Sequence, residues 1–235
     1  MQTEALFRND AYAAENPATV LESSEAGVIL DSSVFYPRAG GQPGDTGTLV
    51  WDGGEMAVAD TVKGPDGSAL HLPSPGAAVP PAGTKVTARL DWNRRHRHMR
   101  MHTTLHLLCA AMPGIYATGN QIGAEKSRLD FDLPEPPTKE WVTERLNELI
   151  AGDHEIGERW ITEAELDANP GLVRTLSVQP PRGAGQIRLV RIGAEDAPVD
   201  LQPCGGTHVR RTGEIGRVEV TKMESKGKQN RRIHI

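Results

Sequence analysis

A chain of 235 residues has room for one large domain or two small ones, each with a real core. Its 31 acidic against 26 basic residues rule out a surface coated throughout in cations, although a local basic face remains open. The two cysteines, Cys109 and Cys204, are too few and too far apart for a disulfide-stapled scaffold. The opening MQTEALFRNDAY lacks an apolar h-region, and no stretch approaches the roughly 20 apolar residues of a membrane span. The expectation is a cytoplasmic protein with no membrane partner.

Residues 1–91 read as short strands between turns. AGVIL, SSVFY, GTLVW, EMAVAD, SALHL and TKVTARLDW are β-branched or alternating, and RAGGQPGDTG, WDGGE, KGPDG and LPSPGAAVPPAG separate them. Such spacing predicts a small N-terminal β-barrel or sandwich. At Asp91 the character changes. NRRHRHMRMHTTLHLLCAAM runs without Gly or Pro until Pro113-Gly114, which predicts a helix capped by Asp91 or Asn93. TKEWVTERLNELIAG predicts a second helix, with Trp141, Leu146, Leu149 and Ile150 gathered on one side, and ITEAELDANPG a short third. QIRLVRIG, GRVEVTKMES and RRIHI read as strands. Without βαβ alternation, residues 92–235 form a second, α+β domain.

Two pairs of residues suggest a metal. His102 and His106 stand four apart on the predicted helix, so both imidazoles leave one face. Cys204 and His208, in PCGGTHV, have the same separation across a glycine pair that allows a tight loop. Together they make four ligands of the types Zn²⁺ takes. Spacing alone does not choose between His98/His102 and His102/His106. His98 also reads as a solvated or phosphate-facing member of RRHRHMR, and Cys109 as a small buried hydrophobe rather than a fifth candidate ligand. HTTLH lacks the Glu that a metalloprotease places directly after its first His; Thr103 stands there instead.

HTTLHLL, GNQIGAEKSRLDFD and QPCGGTHVRRTGEIGRVEV, in that order, resemble the editing domain of alanyl-tRNA synthetases and, more closely, the free-standing alanyl-tRNA editing proteins of the AlaX group. FYPRAGGQPGDTG is similar to the glycine-rich motif that precedes that domain. The resemblance implies an α/β sandwich editing domain behind the barrel, with no room in this length for an adenylate-forming domain. It implies one zinc ion held by His102, His106, Cys204 and His208. It further implies trans-editing, the hydrolysis of the aminoacyl ester of mischarged tRNA(Ala), chiefly Ser-tRNA(Ala) and secondarily Gly-tRNA(Ala).

Around that expectation other residues take roles. Gln42 is the candidate for pairing with a seryl hydroxyl, which an alanyl group would leave unpaired. Gly40 and Gly41 permit close backbone approach, and Asp45 belongs to the same substrate-binding segment. Thr103 is a second, weaker catalytic candidate, on the metal helix. Arg94, Arg97, Arg128, Lys228 and Arg231 are candidate phosphate contacts flanking the metal motifs. Two other classes compete with the deacylase. One is a metal-stabilised RNA-binding module without catalysis; the other is a metallohydrolase of small esters, for which these cations would be idle.

Overall fold

The computed structural model describes residues 3–176, 183, 185–227 and 229–235. Two compact units divide it, Met1–His98 and Met99–Ile235, and the division falls inside a helix.

In the first unit the strands are β1 (Glu4–Ala5), β2 (Glu15–Ser24), β3 (Gly27–Leu30), β4 (Ser32–Ser33), β5 (Gly47–Trp51), β6 (Gly54–Lys63), β7 (Ala69–Pro73) and β8 (Lys85–Leu90). Six close into an antiparallel barrel in the order β2-β3-β7-β6-β5-β8, while β1 and β4 pair in parallel beside it. Two ten-residue strands make closure possible, because each serves two neighbours. β2 pairs β8 along Glu15–Thr19 and β3 from Val20 onward; β6 pairs β5 along Gly54–Val58 and β7 from Val58 to Lys63. A register shift interrupts each, between Val20 and Glu22 and between Val58 and Asp60. Such bulges bend a strand so that one chain can turn a barrel corner.

Alternation fills the interior. Val86, Ala88 and Leu90 of β8 point inward with Leu49, Met56, Val58, Leu30 and Phe35. SSVFY is strand only at Ser32–Ser33; Val34, Phe35 and Tyr36 are buried as irregular backbone. His71 sits wholly inside, its Nδ1 on the Val28 carbonyl at 3.0 Å and its Nε2 against the Ser33 hydroxyl at 2.8 Å. Both ring nitrogens are thereby used, and burial pushes the imidazole down to about 4.

Helix α1 (Trp92–Ala111) follows. The Asp91 side chain accepts from the Arg94 backbone N–H at 3.0 Å, which settles the cap on Asp91. The second unit continues with β9 (Ala117–Gln121), β10 (Arg128–Asp132), α2 (Lys139–Ala151), β11 (Ile156–Thr162), α3 (Glu163–Ala168), β12 (Gln186–Gly193), β13 (Pro198–Pro203), β14 (Lys222–Ser225) and β15 (Asn230–His234). They form two antiparallel sheets, β14-β15-β10-β9 and β11-β12-β13. A barrel with further sheets and three helices is the α+β class that the sequence predicts.

Details differ from expectation. On α2 the buried residues are Val142, Leu146, Leu149 and Ile150, whereas Trp141 is exposed. The strand predicted over GRVEVTKMES is confined to Lys222–Ser225. No described helix is long and apolar enough to cross a membrane.

Candidate metal centre

Every residue of α1 from His102 to Cys109 is buried. Polar side chains in a helix segment enclosed all round need partners from elsewhere in the chain. β13 and the segment after it supply them. His102, His106, Cys204 and His208 each offer one ligand atom, and these atoms lie within 4.8 Å of one another. The Cys204 Sγ stands 3.4 Å from His102 Nε2 and 3.3 Å from His208 Nε2. This cluster can hold a metal ion. His98 and Cys109 are not members: His98 is buried, and its Nδ1 has no hydrogen-bond partner among the described residues. Burial pushes the Cys109 thiol up to about 12, as befits an inert core residue.

The opposite ring nitrogens are fixed as well. Asp200 Oδ2 lies 3.0 Å from His106 Nδ1, and Gln202 Nε2 donates to the same carboxylate oxygen at 2.8 Å. Thr103 Oγ1 lies 3.1 Å from His208 Nδ1 and accepts from the Val209 N–H at 3.4 Å. Second partners of this kind set the tautomer and the ring plane, so that Nε2 is presented to the centre. The geometry therefore gives Thr103 a positioning task. Thr104 bonds back to the Arg100 carbonyl at 2.8 Å. Burial would push the Cys204 thiol up, but His102 and His208 outweigh it and hold the group well below the ordinary thiol range. Burial would likewise push His106 down, yet Asp200 and Cys204 hold it at about 9. An anionic sulfur among imidazoles attracts a cation, whose binding would displace the His106 proton.

Asp200 and Gln202 were not foreseen from the sequence. The signal was their phase: Asp200, Gln202 and Cys204 occupy alternate positions, and the first two are the buried residues of β13. Arg188 of β12 was also not foreseen. Its guanidinium donates to the Cys204 carbonyl at 2.8 Å, the Gly206 carbonyl at 3.0 Å and Glu158 at 2.5 Å.

The glycine-rich segment belongs to the first unit. Gly40 and Gly41 have φ of +58° and +86° between Ala39 and Gln42, whose N–H and C=O groups bond reciprocally. That is the signature of a two-residue type I′ turn, which favours glycine at both centres. Gly44 is required by close approach, since a Cβ there would stand 2.0 Å from the Thr61 carbonyl oxygen. Gln42 is fully buried.

Asp45 is buried too, its carboxylate taken by Arg95 and by the Tyr36 N–H at 2.6 Å. A group so engaged does not face a substrate. Arg94, read as a phosphate contact, donates instead to the Gly44 carbonyl at 2.6 Å. Arg128 is paired with Asp130 at 2.8 Å, and Arg232 shares that carboxylate at 2.7 Å. Arg231 donates to the Pro134 and Gly227 carbonyls, whereas Arg97 is exposed. Lys228 lies outside the described residues.

The family described as threonyl and alanyl tRNA synthetase second additional domain matches residues 187–234, which contain Asp200, Cys204 and His208. Residues 2–94 match the family described as tRNA synthetases class II (A). The alanyl-tRNA editing protein AlaX-M of Methanosarcina mazei is 37% identical over 244 residues, covering 99% of this chain and 95% of its own. This chain belongs to the AlaX-M family of alanyl-tRNA editing proteins. The AlaX-M protein of Saccharolobus solfataricus is similarly matched, at 34% identity over 99% of this chain and 98% of its own. An alanine–tRNA ligase of Pyrobaculum calidifontis is 38% identical over 95% of this chain, but the match takes in only 25% of the ligase. The match to AlaX-M proteins thus spans both units.

Proposed function

We propose that this chain is a trans-acting aminoacyl-tRNA deacylase. It would hold one Zn²⁺ with His102, His106, Cys204 and His208 and hydrolyse the ester of mischarged tRNA(Ala), Ser-tRNA(Ala) first and Gly-tRNA(Ala) second. The observation that carries this is the four-donor cluster, its three imidazoles buried, in a chain related over its whole length to proteins named for alanyl-tRNA editing. Three imidazoles and a thiolate suit zinc. Tetrahedral bonds of the usual lengths would hold sulfur and nitrogen about 3.6 Å apart, close to the separations at Cys204.

When bound, the ion supplies Lewis-acid polarisation of an ester carbonyl or of water. The remaining roles fall to the protein. Thr103 and Asp200 keep His208 and His106 turned toward the centre, and burial of all three imidazoles excludes bulk water from that side. Gln42 is the residue we assign to reading the seryl hydroxyl, because an amide that hydrogen-bonds a hydroxyl discriminates strongly against the substrate without one. Gly40 and Gly41 shape the turn that carries it. For the phosphates we retain Arg97 and Lys228; Arg94, Arg128 and Arg231, like the Asp45 carboxylate, are spent on internal bonds.

Deacylation of Ser-tRNA(Ala) beside Ala-tRNA(Ala), by the native protein and by Cys204→Ala, tests the reading. Loss of serine, sparing of alanine and failure of the variant are expected. A native protein that holds its metal and cleaves neither would overturn it.

A further inference from the structure

Gly205 is a glycine for which the fold has no use. Its φ lies outside the left-handed region, and a Cβ built on it would meet no heavy atom within 4 Å. An alanine would fit there without backbone strain. Gly171 shares the open space, but it lies in the 3₁₀ turn Pro170–Leu172 and adjoins no cluster of titratable groups. Gly205 directly follows Cys204. It is exposed, and Cys204 is the one member of the cluster that is not fully buried. The open space at Gly205 thus adjoins, along the chain, the least buried member of the cluster.

The loop there is held in place. Arg188 donates to the carbonyls on both sides of Gly205, those of Cys204 and Gly206. The Cys204 N–H donates back to the Arg188 carbonyl at 3.1 Å, and Glu158 braces the guanidinium. A loop clamped at both flanking carbonyls cannot swing aside to accommodate bulk at its apex.

Resting on the deacylase reading, we infer that Gly205 is a clearance residue. The absent side chain keeps free the face of the metal centre through which the aminoacylated 3′ end of the RNA reaches the Cys204 side. An added side chain would occupy the volume that the acyl ester and its terminal ribose need, while leaving fold and metal intact.

The test uses metal-loaded native protein, Gly205→Ala and Gly205→Leu. Thermal midpoint and metal content should match the native protein in both. Deacylation of Ser-tRNA(Ala) should fall with side-chain size, by more than about tenfold in kcat/KM for Gly205→Leu, as misplacement of a reacting group does. The rate at which a small chromogenic chelator strips the metal should also fall in Gly205→Leu, because the chelator enters by the same face. Native turnover and native stripping rate in Gly205→Leu would overturn the inference. If the native protein cleaves no charged tRNA, the deacylase reading fails, and the stripping rate alone still decides whether Gly205 opens the centre.

Discussion

Asp45 and Arg95, 50 residues apart in sequence, form an ion pair whose side chains are 1% and 0% exposed. The guanidinium also donates to the Ala11 carbonyl at 2.8 Å and the Val34 carbonyl at 2.7 Å, so one buried cation ties four segments of the first unit together. Removing either partner strands the other charge away from water. Asp45→Asn and Arg95→Met should each cost about 3–5 kcal/mol in urea unfolding. The double variant should cost less than the sum. Single variants within about 0.5 kcal/mol of native would mean that the pair carries no such weight.

The carboxylate behind His106 should matter almost as much as a ligand. Asp200→Asn keeps the shape but removes the charge that orients the ring. Metal affinity, measured by chelator competition, should drop about 10- to 100-fold. Thr103→Val should fall in the same direction through His208. Cys204→Ala, which removes a donor outright, should exceed both. An Asp200→Asn protein with native affinity would show that His106 needs no partner.

His71 sets a pH dependence in the barrel. Its folded value, about 4, lies below the unperturbed 6.5. Between those values the unfolded chain binds more protons, so the stability contributed by the neutral ring is complete above 6.5. It is lost as pH falls from 6.5 toward 4, amounting to about 3 kcal/mol. Urea unfolding from pH 7.5 to 4.5 should show this slope in the native protein and a flatter one in His71→Gln. Parallel slopes would assign the loss to other groups.

Cations that are already paired should contribute little to RNA affinity. Arg97→Ala should weaken tRNA binding and lower the slope of log affinity against log salt by about one. Arg128→Ala, whose side chain is bonded to Asp130, should leave that slope nearly unchanged. The reverse order would place the RNA on the β10 face of the sheet.

Two local patterns, each pair four residues apart, pointed to the metal cluster, but spacing left His98 and His106 as alternatives and only the family resemblance chose His106. The barrel was legible from strands such as Lys85–Leu90, whose alternation matches their burial. β2 was not, since Asn16 and Pro17 make it read as a turn. In the structure Asn16 is buried, donating to the Pro17 and Ser32 carbonyls and accepting from the Val34 N–H. β11 was missed for the opposite reason. It is an edge strand whose Glu158, Arg159 and Trp160 are all exposed, so no inward face marks its period. In RRHRHMR, Arg95 and His98 look solvated because nothing nearby in sequence reveals Asp45 or the enclosing structure. Long-range partners decide burial, and local composition does not contain them.

Closing the barrel joins its earliest strand to its latest. The first half of β2, Glu15–Thr19, finds its partner only in Lys85–Arg89. During synthesis that half must wait while some seventy residues emerge, and an unpaired edge in a nascent chain invites the wrong neighbour. Pro17, which lacks an N–H, stands in the middle of the waiting segment. The residue that hides the strand from a reader also makes it a poor template for strangers on the ribosome.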